Sequence, residues 1–328
     1  SIGAQSFDDN ILKFINRPHC SDDIKNTVEF AKNVGFDNIS LDIIYGLPGQ
    51  TLEELEKTLQ ECINLDVQHI SAYGLKIEEG TAFYKKLPEN LPDEDLCADM
   101  YLKVIDILVK NGFRHYEISN FAADCELRPK GRGDEPMTVE PLTASNQEAD
   151  CELRPKGRGD EPMTVKPLTA SNQAADCCQK VQSHSSRVNS FIGNNQAANY
   201  ESKHNINYWK NNGYYGFGLA SHGYVNGQRY ANTSDLEKYL NNPLLKEFSH
   251  TLSSSDIIEE GLFLGLRMTE GIGINEFKER YNVDICQKYN DIIEKYSKLE
   301  LLTVKNAYLS LTTKGLMLSN IIMAEFLG

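Results

Sequence analysis

One carboxylate, Asp42, interrupts an otherwise apolar, β-branched run in the stretch N-I-S-L-D-I-I-Y-G-L-P-G-Q-T, residues 38–51. The run from Ile39 to Ile44 has the composition of a buried strand. It ends in a Gly-Leu-Pro-Gly turn, after which Thr51 and Glu54 form a capping box that opens a helix. A carboxylate in such a strand needs something to offset its desolvation, either a hydrogen-bonding ligand or a charged partner. Near the carboxyl end of a strand in a parallel α/β sheet, that position reads as a ligand contact. Taken by itself, the same residue equally fits an Asp satisfied by neighbouring backbone amides.

The elements that must position this carboxylate alternate strand and helix from Ser1 to Ala122. After a first strand, a helix is expected near Asp8 to Phe14. A second, capped by Ser21, places Ile24, Val28, Ala31 and Val34 on one face and stops at Gly35. The Asp42 strand follows, then a helix with Leu52, Leu55, Leu59 and Ile63 on one stripe. A strand from His69 to Ile77, a helix from Glu94 to Lys110 and a strand from Arg114 to Ile118 complete the series. This rhythm predicts parallel strands with helices outside, and four strands are too few to close an eight-stranded barrel. The chain opens inside a strand at Ser1 and reads as the carboxyl-terminal part of something longer.

Composition narrows the function classes. With 328 residues, a net charge of −14 and a pI near 5.0, the chain lacks the positive surface a nucleic-acid partner requires. No apolar run approaches the length of a membrane span, and no signal-peptide pattern appears. The eight cysteines are scattered without a C-x-x-C group, which suits a reducing compartment and predicts no cysteine-held metal centre in this chain. Between Asp124 and Cys177 the segment beginning C-E-L-R-P-K-G-R-G-D recurs, with Cys125, Cys151 and Cys177 marking a 26-residue period. Each unit has too few apolar residues for a solenoid, so the repeats read as a disordered insertion.

Order is expected to return near Tyr200 with E-S-K-H-N-I-N-Y-W and the glycine-rich G-Y-Y-G-F-G-L-A-S-H-G-Y. Beyond Leu252 come helices at Ile257 to Met268, Ile274 to Tyr281 and Ile285 to Leu299. A hairpin from Leu301 to Leu311 turns at Asn306 and Ala307, and a last helix spans Thr313 to Phe326. Helices followed by a two-stranded wing outline a small winged-helix-like α+β domain, whose acidic composition favours an interaction or lid role over DNA.

The strings I-G-A-Q-S-F (2–7), N-R-P-H (16–19), D-I-I-Y-G-L-P-G-Q-T (42–51), H-I-S-A-Y (69–73), Y-E-I-S-N-F-A (116–122) and H-N-I-N-Y-W (204–209) resemble a known family. It is the radical SAM family, in its oxygen-independent coproporphyrinogen III oxidase-like group. Q-S-F, G-L-P-G-Q-T and H-N-x-x-Y-W are most similar to the HemW haem-chaperone branch of that group. The resemblance runs in order through Ser1 to Ala122 and Tyr200 to Leu327, leaving out the repeats. It implies an α/β fold: the carboxyl-terminal half of a partial (β/α)6 radical SAM barrel over 1–122, the insertion over 123–198, a return segment over 199–250, and a HemN-type winged-helix-like domain over 251–328. S-adenosylmethionine would lie across the strand tops. The [4Fe–4S] cluster would be held by cysteines of a C-x-x-x-C-x-x-C loop upstream of this chain, so no cluster is expected on this chain alone.

Carried over by motif, Gln5, Arg17 and Asp42 are the implied S-adenosylmethionine contacts, and His204 the implied haem ligand, with Tyr208 and Trp209 able to pack on a porphyrin face. Read from residue type alone, Arg17 equally caps a helix, Gln5 satisfies nearby backbone and His204 anchors a return strand. His222 is a second haem candidate. It sits in G-L-A-S-H, where Leu219 and Ser221 add bulk to a turn that is usually built of smaller residues. The implied function is that of part of a cytoplasmic haem chaperone, which binds haem and passes it to haem-accepting proteins; an amino-terminal half encoded separately is a further implied partner. Two other readings stay open: an oxygen-independent coproporphyrinogen III oxidase, and an inactive remnant of a split gene. No catalytic residue is assigned.

Overall fold

Strand alternation and helix stripes build a sheet with helices packed on one face. In the computed structural model, which describes residues 1–124 and 200–327, β1 (Ile2–Gln5), β2 (Ser40–Tyr45) and β3 (His69–Gly74) pair in parallel. Leu41 and Ile43 of β2 and Ile70 and Ala72 of β3 are fully buried in one cluster. They pack with Ile24 and Val28 of α2 (Ser21–Asn33), Leu55 and Leu59 of α3 (Leu52–Asn64), and Met100, Val104 and Leu108 of α5 (Glu94–Lys110). Each such side chain contributes about 1.5–3 kcal/mol on burial, so a one-residue slip of any strand would forfeit several at once. Two short helices, α1 (Asp9–Phe14) and α4 (Ala82–Lys85), fill the connections.

Local capping decides where the helices begin. Thr51 Oγ1 accepts from the Glu54 amide at 3.2 Å and the Glu54 carboxylate accepts from the Thr51 amide at 2.8 Å, the expected capping box. For α2 the cap is Cys20 rather than Ser21: the Cys20 amide donates to Asp23 at 2.9 Å, which makes Ser21 the first helical residue. The third strand ends at Gly74 rather than Ile77.

The sequence reading expected one final strand, 114–118, running parallel to its neighbours. Instead β4 (Phe113–Glu117) turns through Ile118 and Ser119 into β5 (Asn120–Ala123), and β5 inserts antiparallel between β3 and β4. The sheet order is β1-β2-β3-β5-β4. Phe121 is fully buried, and its transfer into the core draws the chain back across the sheet.

The described residues after 199 begin with α6 (Lys203–Trp209). A three-stranded antiparallel sheet follows, β6 (His222–Val225), β7 (Gln228–Asn232) and β8 (Lys246–Thr251), with α7 (Leu236–Asn241) before its last strand. The carboxyl-terminal module comprises α8 (Ser254–Gly265), β9 (Ile272–Gly273), α9 (Ile274–Tyr281), α10 (Ile285–Lys288), α11 (Asn290–Lys298), the hairpin β10 (Leu302–Lys305) and β11 (Tyr308–Leu311), α12 (Thr313–Met317) and α13 (Ser319–Ala324). The wing turn at Asn306 and Ala307 is as expected, both residues having positive φ, 52° and 62°. The helix expected over 257–268 starts and stops three residues earlier. Those expected over 285–299 and 313–326 each break in two, at Tyr289 and Leu318. The repeat region lies outside the described residues. Among the described residues, no helix is long and apolar enough to cross a membrane.

The module joins the outer edge of the large sheet directly. The Ile118 amide donates to Arg267 O at 3.1 Å, the Thr269 amide to Tyr116 O at 3.1 Å, and Thr269 Oγ1 to His115 O at 2.7 Å.

Candidate functional site

The face of the sheet opposite the helices is polar. Ser40 and Asp42 alternate with core residues on β2, as do His69, Ser71 and Tyr73 on β3, and Asn120 stands opposite Ser71 on β5. The amino-terminal turn of α6, Tyr200 to Asn205, lies across these side chains and closes a cleft of about 670 Å³. Asp42, on the sheet wall, and His204, on the helix wall, thus line one cavity. Among the described residues the Asp42 carboxylate accepts one hydrogen bond, from Ser1 Oγ at 2.7 Å, and none from a backbone amide. In the structure a side-chain hydroxyl, rather than backbone amides, is the partner of Asp42.

The other implied contacts divide. Gln5 has φ 66° at a bulge in β1, and its Nε2 lies 2.8 Å from where a side chain on Gly3 would begin. Gly3 pairs with Asp42, so the bulge brings the Gln5 side chain back to the Asp42 face. Gln5 itself is 8% exposed and does not line the cleft. Arg17 is exposed in the turn after α1 and does not line it either. The Gly-Leu-Pro-Gly turn beyond β2 requires its first glycine: Gly46 has φ 77°, and an added Cβ would stand 3.3 Å from Cys97 Sγ.

A buried relay missed in the sequence ties the two walls together. His69 Nδ1 is 2.8 Å from Ser40 Oγ, and its Nε2 is 2.9 Å from Tyr116 Oη. Tyr116 Oη accepts from the amide of Ser202, the N-cap of α6, at 3.1 Å. The Tyr116 hydroxyl thus bridges the Ser202 amide and the ring of His69. Burial lowers the pKa of this imidazole to about 4 against a smaller opposing pull from Asp42, which keeps the ring neutral near pH 7. The only signal for this in the sequence was polar residues at every second position, 38, 40 and 42, then 69, 71 and 73. Tyr116 gave none, because its partners are 47 and 86 residues away in the chain.

Beside the relay, Glu117 is 1% exposed and accepts from Asn120 Nδ2, and burial raises its pKa. Among the described residues, Glu117 Oε2 and Asn120 Oδ1 have no hydrogen-bond partner.

His204 is exposed, and its ring stands edge-on to Tyr208 at 4.7 Å. It lies on a helix, so the return-strand alternative does not apply. Trp209 leaves the cleft altogether: it lines a separate cavity of about 400 Å³ against the carboxyl-terminal module, with the Arg267 guanidinium 4.4 Å from its ring centre. Only Tyr208 of the pair Tyr208–Trp209 stays beside His204. His222, on β6, contacts Phe248 and does not line the cleft. The cysteines Cys20, Cys62, Cys97 and Cys286 are free, and among the described residues no three His, Cys, Asp or Glu side chains come together to hold a metal ion.

Comparison with known proteins places this geometry in a family. Residues 1–62 match the family model of the radical SAM superfamily, and residues 252–318 that of the HemN C-terminal domain. The heme chaperone HemW of Lactococcus lactis is 30% identical over 332 residues, covering 100% of this chain and 68% of that protein. The chain belongs to the HemW family. The HemW of Bacillus subtilis is 29% identical, over 100% of this chain and 69% of the relative. The coproporphyrinogen III oxidase HemN of Escherichia coli, a radical SAM enzyme, superposes with a TM-score of 0.64 at 16% identity, covering 99% of this chain and 62% of the enzyme. That likeness shows the fold: the α/β sheet is part of a radical SAM barrel. The chain spans about two thirds of the length of these HemW proteins and less of HemN.

Proposed function

We propose that this chain is the haem-holding part of a HemW-type chaperone, with S-adenosylmethionine bound in the cleft and haem ligated by His204. The observation that carries this reading is that Asp42 and His204 face one cavity. The cleft is polar on its sheet wall, which suits the hydroxyls and amino group of S-adenosylmethionine. Asp42 would accept from those donors, with Ser40 and Ser71 beside it. S-adenosylmethionine, when bound, supplies a sulfonium whose positive charge a neighbouring carboxylate favours. Gln5, on the same face, would reach the cleft by a side-chain rotation. Arg17 would need to swing in from its exposed turn to meet the methionyl carboxylate.

Haem is the cargo. An exposed imidazole with an aromatic ring at its edge offers an axial ligand and a surface for one porphyrin face. The Tyr116–His69 relay holds the helix that carries this imidazole against the sheet. Cytoplasmic delivery to haem-accepting proteins is part of the proposal, as is a partner segment carrying the C-x-x-x-C-x-x-C cluster loop.

Haem titration of the purified chain, followed by the Soret band, tests the reading. His204→Ala is expected to weaken binding at least about tenfold, and Asp42→Asn to abolish S-adenosylmethionine binding measured by calorimetry while leaving haem binding in place. Wild-type-like haem binding by His204→Ala overturns it. Anaerobic turnover of coproporphyrinogen by the chain with its missing segment would favour the oxidase instead.

A further inference from the structure

Helix α6 is held at its two ends by different parts of the fold. At its amino-terminal end the sheet holds it: Ser202 N donates to Tyr116 Oη, and Arg114 pairs with Glu201 at 2.8 Å. At its carboxyl-terminal end the carboxyl-terminal module holds it. The half-buried Arg267 guanidinium covers the Trp209 ring at 4.4 Å. Arg280 of α9 donates at 2.6 Å each to the carbonyl of Lys210, the residue that caps α6, and to that of Asn211 just beyond it. His204 lies between these anchors.

We infer that the carboxyl-terminal module sets the position of His204, with Arg267 as the positioning residue. This inference rests on the reading of His204 as the haem ligand. Arg267 is fixed at its backbone, since its carbonyl accepts from Ile118 of the sheet edge. Among the described residues its Nε is buried without a hydrogen-bond partner, and the attraction of Glu117 and of the Trp209 ring acts on its charge. A half-buried guanidinium so lightly satisfied adds little to the module's own stability. Its specific effect is to fix the indole ring, and through it the last turn of a helix only seven residues long. Small displacements of a ligating side chain cost affinity steeply, which makes the anchor consequential for haem. The module of a HemW-type protein thereby acts on the haem site without touching haem.

The chain has a single tryptophan, so its fluorescence reports on α6 alone. The full chain carrying Arg267→Met, which keeps the apolar stem and removes the charge, is compared with wild type and with Arg267→Lys. Acrylamide quenching of Trp209 in the haem-free protein is expected to rise about twofold in Arg267→Met, haem affinity to fall about tenfold, and Arg267→Lys to recover most of both. In a His204→Ala background, Arg267→Met is expected to leave haem affinity unchanged, a result that general destabilisation would not give. Unchanged quenching, or raised quenching with undiminished haem affinity in the His204 protein, overturns the inference. If the wild-type chain does not bind haem, the ligand reading fails by itself, and the quenching result alone decides whether Arg267 positions the helix. Should Arg267→Met not fold, Arg280→Ala, exposed and anchoring the same helix end, is expected to show the same pair of changes.

Discussion

Acidification from about pH 7 to about pH 4 sets His69 against its surroundings. Its imidazole is held neutral between Ser40 and Tyr116, 6% exposed, with a pKa lowered by burial from 6.5 to about 4. In the unfolded chain it takes up a proton near its ordinary value, so between these two values the unfolded state binds more protons than the folded one. The folded pKa is depressed; the contribution is therefore fully present above about pH 6.5 and is lost as the pH falls through about 4. The size of the loss follows from the shift, at about 1.4 kcal/mol per pH unit, and comes to about 3 kcal/mol. The assay is urea unfolding of wild type and His69→Gln at a series of pH values across this window. Other groups titrate there too, Glu117 among them with a raised pKa and the opposite sign, but they are common to both proteins. The stability gap between the two proteins is expected to narrow by about 3 kcal/mol on acidification. Curves that stay parallel through the window would refute the reasoning, because they would mean that His69 is charged, or solvated, in the folded chain.

Tyr116→Phe removes the hydroxyl shared by His69 and Ser202 and leaves a buried ring nitrogen unpaired; a loss of about 2–3 kcal/mol is expected by urea unfolding, with faster amide exchange at Ser202. Thr51→Ala opens the capping box before α3 and is expected to cost about 1 kcal/mol, read from the thermal midpoint. Arg229→Met breaks the paired bonds to Glu260 at 2.7 and 2.6 Å that join β7 to α8; about 1–2 kcal/mol of destabilisation is expected, and Glu260→Gln in the same background is expected to add little.

Much of the chain's local order was legible in its residues. The stripe of α5 gave its bounds, and Thr51 with Glu54 fixed the start of α3, because helix periodicity and capping act over a few residues. Asn306 and Ala307 marked the wing turn for the same reason. The misreadings occurred where a distant contact outweighs local preference. A strand at Asn120–Ala123 follows from burying Phe121 against a core assembled from helices far away in sequence. Cys20 rather than Ser21 caps α2 because Asp23 is within reach of the Cys20 amide, a matter of side-chain geometry that residue type does not disclose.

For the candidate site the division is sharper. Residue order placed a lone carboxylate on β2, and the resemblance of H-N-I-N-Y-W to the haem-chaperone branch singled out His204; the expectation that Asp42 stands near the carboxyl end of its strand fails, since it is the third of the six residues of β2. That Asp42 and His204 share a cavity, that Trp209 turns away from it under Arg267, and that His69 and Tyr116 brace its two walls were settled only by the fold. These pairings join side chains dozens to more than a hundred residues apart, and nothing in the chemistry of either partner names the other until packing brings them within a few ångströms.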